Sequence, residues 1–482
     1  MDNFDTIKFL NDQIENAPFR ILAYIKNEKG KMNPQRSAFL KLRKHIENYS
    51  TNQDNVRWLI VPGLRGTGKT TLLAQLYNFV RNSKKSKFPP VFVSVDQLTR
   101  IIGSNINKLI DAYESVIGIR YEQLTSPVFI FLDEVQYDSN WALTLKSLYD
   151  RTKNAFIITT GSSALSLNSN PDVARRSNTE KIFPMSITEY FKIKCGQYEE
   201  KGLGGQLRDA IFNSETANEV YTKLQYLKPK VISYWDRCCK NRYEEEIFRY
   251  LEIGSLPYLL KIENDSMVYE QINKTLDKVI SYDIPLIGKF KQDNIAKVPE
   301  ILYLLASSDT ISTIKLASII GISRPILIEL LNTIEKTDLI TRIYPHGSHT
   351  EQVKKPSRYH FMSPAFRSMY FNYISSTVSK DIYKGKLLED AIALYLTRLF
   401  YGKLGYSITL DPGQGGADFI VGIAKKDYIP IEVGMGEKPY RQVLKTMEKV
   451  KSKYGICVSL RPLDMDRTGN VVSIPLTYFL LT

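Results

Sequence analysis

Residues Gly63-Leu64-Arg65-Gly66-Thr67-Gly68-Lys69-Thr70 spell G-x-x-x-x-G-K-[ST], directly after the apolar run Trp58 to Val61 and directly before a helical pattern opening Thr71-Leu72-Leu73. This octet constrains the fold most, because it works only as the turn between a buried strand and a helix N-terminus. At average residue frequencies it arises by chance in about one chain in a hundred of this length. Its residue types are those a phosphate chain requires. Glycines let backbone N–H groups close around a β-phosphate, Lys69 brings a point charge to the β and γ oxygens, and the Thr70 hydroxyl is a ligand for Mg²⁺. Gly63, Gly66, Thr67, Gly68, Lys69, Thr70 and Thr71 are therefore the expected nucleotide-binding residues, with ATP and Mg²⁺ as cofactors.

The neighbouring segments agree with a strand of that kind. Val91 to Val95, Val128 to Leu132 and Phe156 to Thr160 are short apolar runs separated by helical patterns, which predicts a parallel sheet with helices on both faces. Val128-Phe-Ile-Phe-Leu132 ends in Asp133-Glu134, at the strand edge where open α/β sheets bind ligands. Asp133 is expected to hold Mg²⁺ through water, and Glu134 to orient and deprotonate the water that attacks the γ-phosphate. Without a phosphate loop nearby, the same two acids would read as a helix N-cap. Thr160, on the next run, is expected to sense the γ-phosphate, the alternative being a turn or cap before Gly161-Ser162-Ser163. Arg175 and Arg176, expected in a loop and short strand near the site, are either a solvated face or a phosphate contact, in cis or across a subunit boundary.

A chain of 482 residues exceeds what one core holds, and five regions are predicted. They are a helical lead-in (1–50), the phosphate-loop core (51–195), an all-helical lid (196–290), a helix-turn-helix with a wing (291–362) and a mixed helix and strand tail (363–482). Basic positions of the lead-in, including Arg36, Lys41, Arg43 and Lys44, read as a solvated face. Lysine plus arginine number 65 against 51 aspartates and glutamates, a net charge of +14 that favours polyanionic partners, nucleic acid before anionic membrane. No apolar run approaches the roughly 18 residues of a membrane span, and the Met-Asp-Asn-Phe-Asp start lacks a signal-peptide pattern. The four cysteines, Cys195, Cys238, Cys239 and Cys457, form no C-x-x-C, so a reducing, cytoplasmic setting without membrane is expected.

In the fourth region, helices are predicted over Glu300 to Ala306, Thr313 to Ile320 and from Ser323 onward. The last has Ser323 as N-cap, Pro325 in its first turn and an apolar stripe of Ile326, Leu327, Leu330, Leu331 and Ile334. Ile340 to Tyr344 and Arg358 to Phe361 are expected to form the wing, with His346, His349, Lys354 and Lys355 at its tip and the histidines exposed. Arg324, Lys336, Arg342, Lys354 and Lys355 are expected phosphate contacts on double-stranded DNA, the alternative being a strut or protein-binding module.

The phosphate loop, F-L-D-E-V-Q, T-T-G-S-S-A-L, A-R-R before F-P-M-S-I-T-E-Y, E-I-G-S-L-P-Y and D-I-P together resemble the archaeal-type AAA-like ATPases, over most of the chain. The resemblance implies ATP and Mg²⁺, and it maps the family's arginine onto Arg176, with Arg175 standing where the family has glycine. Gly254-Ser-Leu-Pro257 corresponds to the family's G-G-F-P turn, with Ser255 replacing the second glycine. The tail resembles the restriction-nuclease-like domain that often closes such ATPases. Its helix glutamate, strand aspartate and E-x-K triad fall on Glu389, Asp418 and Glu432, but the lysine position is Gly434. Lys438, four residues on, is the remaining candidate. Without that lysine the site lacks the charge that helps generate hydroxide, so nuclease activity is not expected.

The fold expected is therefore α/β: a P-loop NTPase parallel sheet with a helical lid, a winged helix-turn-helix and a C-terminal mixed α/β nuclease-like domain. The expected activity is Mg-dependent ATP hydrolysis coupled to DNA, by a chain alone or as a homo-oligomer. The alternative is a slow nucleotide-gated switch that holds a protein partner, in a toxin–antitoxin or defence setting.

Overall fold

The structure is a computed structural model that describes residues 3–51, 56–83, 85–163, 171–307, 312–374, 380–423, 427–436 and 440–482. The chain divides into two compact units, Met1–Phe183 and Pro184–Thr482.

The first unit is built on five strands, β1 (Trp58–Pro62), β2 (Val91–Ser94), β3 (Val128–Asp133), β4 (Ala155–Gly161) and β5 (Asn178–Thr179). They lie in the order β2-β3-β4-β1-β5, and every pairing is parallel. Because side chains alternate across a strand, the apolar runs of β1, β3 and β4 supply two cores at once. Trp58, Ile60, Ile130, Leu132 and Ile157 face one core, and Leu59, Val61, Phe129, Phe131, Phe156 and Ile158 face the other. Helices cover both faces. Asn3–Ile25 contributes Leu10 to the first core and Ala17 and Ile21 to the second, and Ser37–Ser50 adds Phe39, Leu42 and Ile46 to the second. Register aligns three strand ends at one edge: Pro62 pairs with Gly161, Val61 with Thr160, and Leu132 with Thr159. That alignment brings the start of the phosphate loop, the hydroxyl of Thr160 and the carboxylate of Asp133 to one place.

The second unit opens with helices. Ile187–Cys195 starts with a capping box in which the Ser186 hydroxyl accepts from the Glu189 N–H and the Glu189 carboxylate accepts from the Ser186 N–H. Leu203–Phe212, Ala217–Cys239, Tyr243–Arg249 and Asp265–Lys278 follow, as the predicted all-helical stretch requires. Helices Val298–Ser307, Thr313–Ile320 and Arg324–Lys336 come next, and the last buries the expected Leu327, Leu330, Leu331 and Ile334.

Eight further strands form one sheet: β6 (Ile340–Pro345), β7 (Arg358–Phe361), β8 (Ser407–Leu410), β9 (Phe419–Ile423), β10 (Asp427–Val433), β11 (Gly455–Ser459), β12 (Asp464–Met465) and β13 (Val471–Pro475). Their order is β12-β13-β11-β10-β9-β8-β6-β7. The pair β6–β7 is antiparallel, and β6 also pairs in parallel with β8, so these two strands continue the C-terminal sheet.

The surroundings of β6 and β7 correct the expectation of exposure for His346 and His360, while His349 is exposed as expected. The His346 ring packs edge-on against Tyr428 at 4.8 Å with Nδ1 3.2 Å from Thr409 Oγ1, and His360 is buried beside Asp390. Two expected phosphate contacts also have partners within the chain. Arg342 donates to Ser357 Oγ and stacks over Tyr344, and Lys355 pairs with Glu351 at 3.2 Å. No group of three or more His, Cys, Asp or Glu suited to a metal occurs among the described residues, and no helix among them is long and apolar enough to cross a membrane.

Candidate nucleotide site

The phosphate loop leaves β1 at Gly63, which fits only as glycine. A Cβ there would sit 2.5 Å from the Ile182 carbonyl oxygen, because Gly63 bridges in parallel to Ile182 on one side and donates its N–H to Gly161 on the other. The helix Lys69–Asn82 begins after Gly68, whose φ of +87° lies in the left-handed region that other residues enter at a cost. Between them Thr67 is buried, its hydroxyl donating to the Leu64 carbonyl at 2.8 Å. Lys69 is also buried, and its ammonium donates to the carbonyls of Gly63 at 2.9 Å and Leu64 at 3.1 Å, which places the charge over the mouth of the loop. Thr71 is half-buried on the first helical turn. Gly63→Ala should therefore force apart the Gly63–Ile182 bridge and lower ATP affinity by at least about tenfold, the result of misplacing loop donors by a fraction of an ångström. Equilibrium nucleotide binding checks it.

Thr70, Asp133, Thr160 and Glu134 form one connected set. Thr70 Oγ1 donates to Asp133 Oδ2 at 2.7 Å, the Thr160 hydroxyl donates to the other Asp133 oxygen, and the Glu134 N–H donates to Thr160 Oγ1 at 3.3 Å. Burial and the adjacent Glu134 charge push the Asp133 carboxyl up to about 6, against the opposing effects of the two hydroxyls and Lys69. Glu134 has φ +57°, a left-handed conformation unusual for a residue with a side chain and worth roughly 1 kcal/mol of strain. The hydrogen bond to Thr160 holds it there, and Gln136 Nε2 donates to its carboxylate. Two oxygens converging at Thr70 and Asp133 are hard ligands of the kind Mg²⁺ takes, so these residues fit the cation expected with ATP.

The arginines do not join this set within the chain. Arg176 follows the short helix Pro171–Ala174, donates through Nε to Asp150 at 2.7 Å and through a terminal nitrogen to the Asp172 carbonyl, while Arg175 is exposed. Asp150 closes the helix Trp141–Arg151 that returns from β3 to the start of β4. It therefore lies at the N-terminal edge of the sheet, opposite the edge with Asp133, which corrects the expected placement of both arginines near the site.

Two contributors escaped the sequence reading. Arg36, expected on a solvated face, is half-buried and donates to the Thr67 carbonyl at 2.6 Å and the Phe183 carbonyl at 2.8 Å, tying the crest of the phosphate loop to the segment after β5. Gln136 is the second, signalled only by its place in F-L-D-E-V-Q, two residues after Glu134. Of the tail residues, Glu389 lies on the helix Lys380–Phe400, Asp418 immediately before β9 and Glu432 in β10, while Lys438 lies outside the described residues.

Comparison with known proteins places this geometry. Residues 55–191 match the family model described as an AAA domain. The Uncharacterized protein MJ1637 of Methanocaldococcus jannaschii is 34% identical over 482 residues, covering 98% of this chain and 94% of that protein. The chain belongs to the family of MJ1637 and carries an AAA domain. The Uncharacterized protein MJ1544 of the same organism is 22% identical over 406 residues, covering 81% of this chain and 78% of that protein. Among solved structures, the Aeropyrum pernix ORC1 protein in complex with DNA is 10% identical, covers 70% of this chain and 92% of its own, and has a TM-score of 0.31. With its parallel five-stranded sheet and phosphate loop, the AAA domain has the fold of an AAA-like P-loop ATPase.

Proposed function

We propose that the chain binds ATP with Mg²⁺, hydrolyses it, and couples that cycle to duplex DNA without cutting it. The observation that carries the ATPase reading is the linked set of Thr70, Asp133, Thr160 and Glu134 beside the phosphate loop. Thr70 and Asp133 would hold the Mg²⁺, which when bound would supply Lewis acidity to the phosphate oxygens. Lys69 and the loop N–H groups bind the β and γ phosphates, and Glu134, oriented by Gln136, takes the proton of the attacking water. Thr160 contacts both carboxylate residues, so a change at the γ-phosphate can reach Asp133 and Glu134 together. Arg176 lies on the far edge of its own sheet, a position consistent with service to a neighbouring subunit.

DNA is supported by the net charge of +14 and by exposed Arg324 and Lys336 on the helix Arg324–Lys336. For the full chain, log K for duplex DNA should fall linearly with log salt at several multiples of about −0.9, one per phosphate contact, and Arg324→Glu with Lys336→Glu should flatten the slope. Duplex should also raise ATP turnover. One observation favours the switch with a protein partner: Ile314 and Ile319, on the preceding helix, are 64% and 49% exposed, apolar side chains that offer nothing to a phosphate. Absent or salt-independent DNA binding would select that second reading.

A further inference from the structure

In the C-terminal sheet, β9 and β10 pair antiparallel with Ile431 opposite Phe419, so the next step along both strands sets Glu432 opposite Asp418. Both side chains are buried, at 2% and 7% exposure. Carboxylates facing each other across a strand pair at roughly 5 Å repel, and removing them from water sharpens the repulsion. A proton on one of them, a cation, or a basic neighbour relieves such a pair. The restriction-nuclease resemblance assigns that place to a divalent metal, yet the residues do not fit one. The described residues contain no group of three acidic, His or Cys side chains suited to a metal.

A guanidinium stands there. Arg358, at the start of β7, donates from a terminal nitrogen to Asp418 Oδ1 at 2.7 Å, and the second Asp418 oxygen accepts the Val433 N–H at 3.0 Å. Both oxygens of the aspartate are thereby occupied by donors from the chain. The charges of Glu432 and of Glu389, on the helix Lys380–Phe400, also act on the same guanidinium. The Arg358 side chain is 22% exposed, so its interaction with Asp418 is only partly screened. Arginine keeps its charge at every pH a folded protein meets, which makes it a permanent counter-ion.

We propose that Arg358 is the built-in cation of this acidic corner: it closes the Asp418–Glu432 pair against divalent metal, and its removal opens a divalent-cation site there. The C-terminal unit is then a metal-independent module, whatever the AAA domain does with nucleotide. A metal would have to displace a charged hydrogen-bond donor from Asp418 as well as shed its own water.

The test is Mn²⁺ titration of the full chain without nucleotide, followed by paramagnetic resonance of free Mn²⁺ and by melting temperature. Wild type and Asp418→Asn should take up the same Mn²⁺, since Asp418 is not a ligand while Arg358 is present. Arg358→Ala should gain an uptake that wild type lacks and a Mn²⁺-dependent rise in melting temperature, and both should vanish in Arg358→Ala/Asp418→Asn. Mn²⁺ at Thr70 and Asp133 is common to all of these variants and cancels. Arg358→Lys, which keeps the charge, should resemble wild type. Wild-type uptake that Asp418→Asn abolishes would overturn the proposal, as would a folded Arg358→Ala with no new uptake. Should Arg358→Ala fold only with Mn²⁺, that rescue supports it; should it not fold at all, the wild-type and Asp418→Asn comparison decides.

Discussion

Glu134→Gln should slow ATP hydrolysis by at least about 100-fold while leaving nucleotide affinity unchanged, the size and signature of a lost general base. The substitution is nearly isosteric. Its backbone N–H still reaches Thr160, so the left-handed φ of +57° and the Asp133–Thr160–Glu134 arrangement persist. The loss is confined to the carboxylate lone pair that takes a proton from water. Lys69 and the loop N–H groups, which hold the phosphates, are untouched. Single-turnover hydrolysis with saturating Mg·ATP reads the chemical step directly. Equal rates in wild type and variant would remove Glu134 from the reaction.

The second large effect is on stability, in the Pro184–Thr482 unit. Arg367 donates to both oxygens of Asp390, at 2.6 and 2.8 Å, and caps the helix Val298–Ser307 through the Ala306 carbonyl at 2.6 Å and the Leu305 carbonyl at 3.3 Å. Asp390 also accepts the Phe361 N–H at 3.1 Å, and both charged side chains are essentially out of solvent. Burial raises the Asp390 carboxyl, but the Arg367 charge and the hydrogen bonds Arg367 donates more than reverse this and hold it below the usual carboxylate range. Arg367→Ala strands that carboxylate and the helix carbonyls together, and should cost about 3–5 kcal/mol. Urea unfolding of the full chain measures it. The double variant Arg367→Met/Asp390→Leu should recover the part of the loss due to the stranded carboxylate, but not the part due to the Ala306 carbonyl and the Phe361 N–H, which it leaves without these partners. A single variant within about 0.5 kcal/mol of wild type would show that the pair is not what secures this junction.

What the sequence revealed follows from how far apart the cooperating residues lie. The phosphate loop and Asp133-Glu134 were legible because their chemistry fixes residue types at local spacings, and because β1, β3 and β4 are apolar on both faces as a buried parallel sheet demands. The helices Val298–Ser307, Thr313–Ile320 and Arg324–Lys336 emerged from the same local periodicity. Arg36 was misread because its partner, the Thr67 carbonyl, is 31 residues away, and no local pattern separates a solvated arginine from one that grips a loop. Arg358 and Asp418 are 60 residues apart, so the acidic corner was visible and its counter-ion was not. His346 and His360 were misplaced for a related reason: His346, just after β6, and His360, on β7, meet Tyr428 and Asp390, which come from distant segments. On the helix carrying Glu389, the fully buried acid is the adjacent Asp390, a distinction set by which face meets Arg367.

The central claim is that the loop around Lys69 is a nucleotide site, and equilibrium binding of Mg·ATP to the full chain tests it most directly. Lys69 contributes a buried ammonium aimed over the loop, a charged hydrogen-bond donor to phosphate. Wild type should bind ATP saturably, and Lys69→Ala should weaken that binding by at least about 100-fold, the equivalent of the roughly 3 kcal/mol that a charged hydrogen bond can contribute. Equal affinity in wild type and Lys69→Ala, or no binding by wild type, would contradict the account.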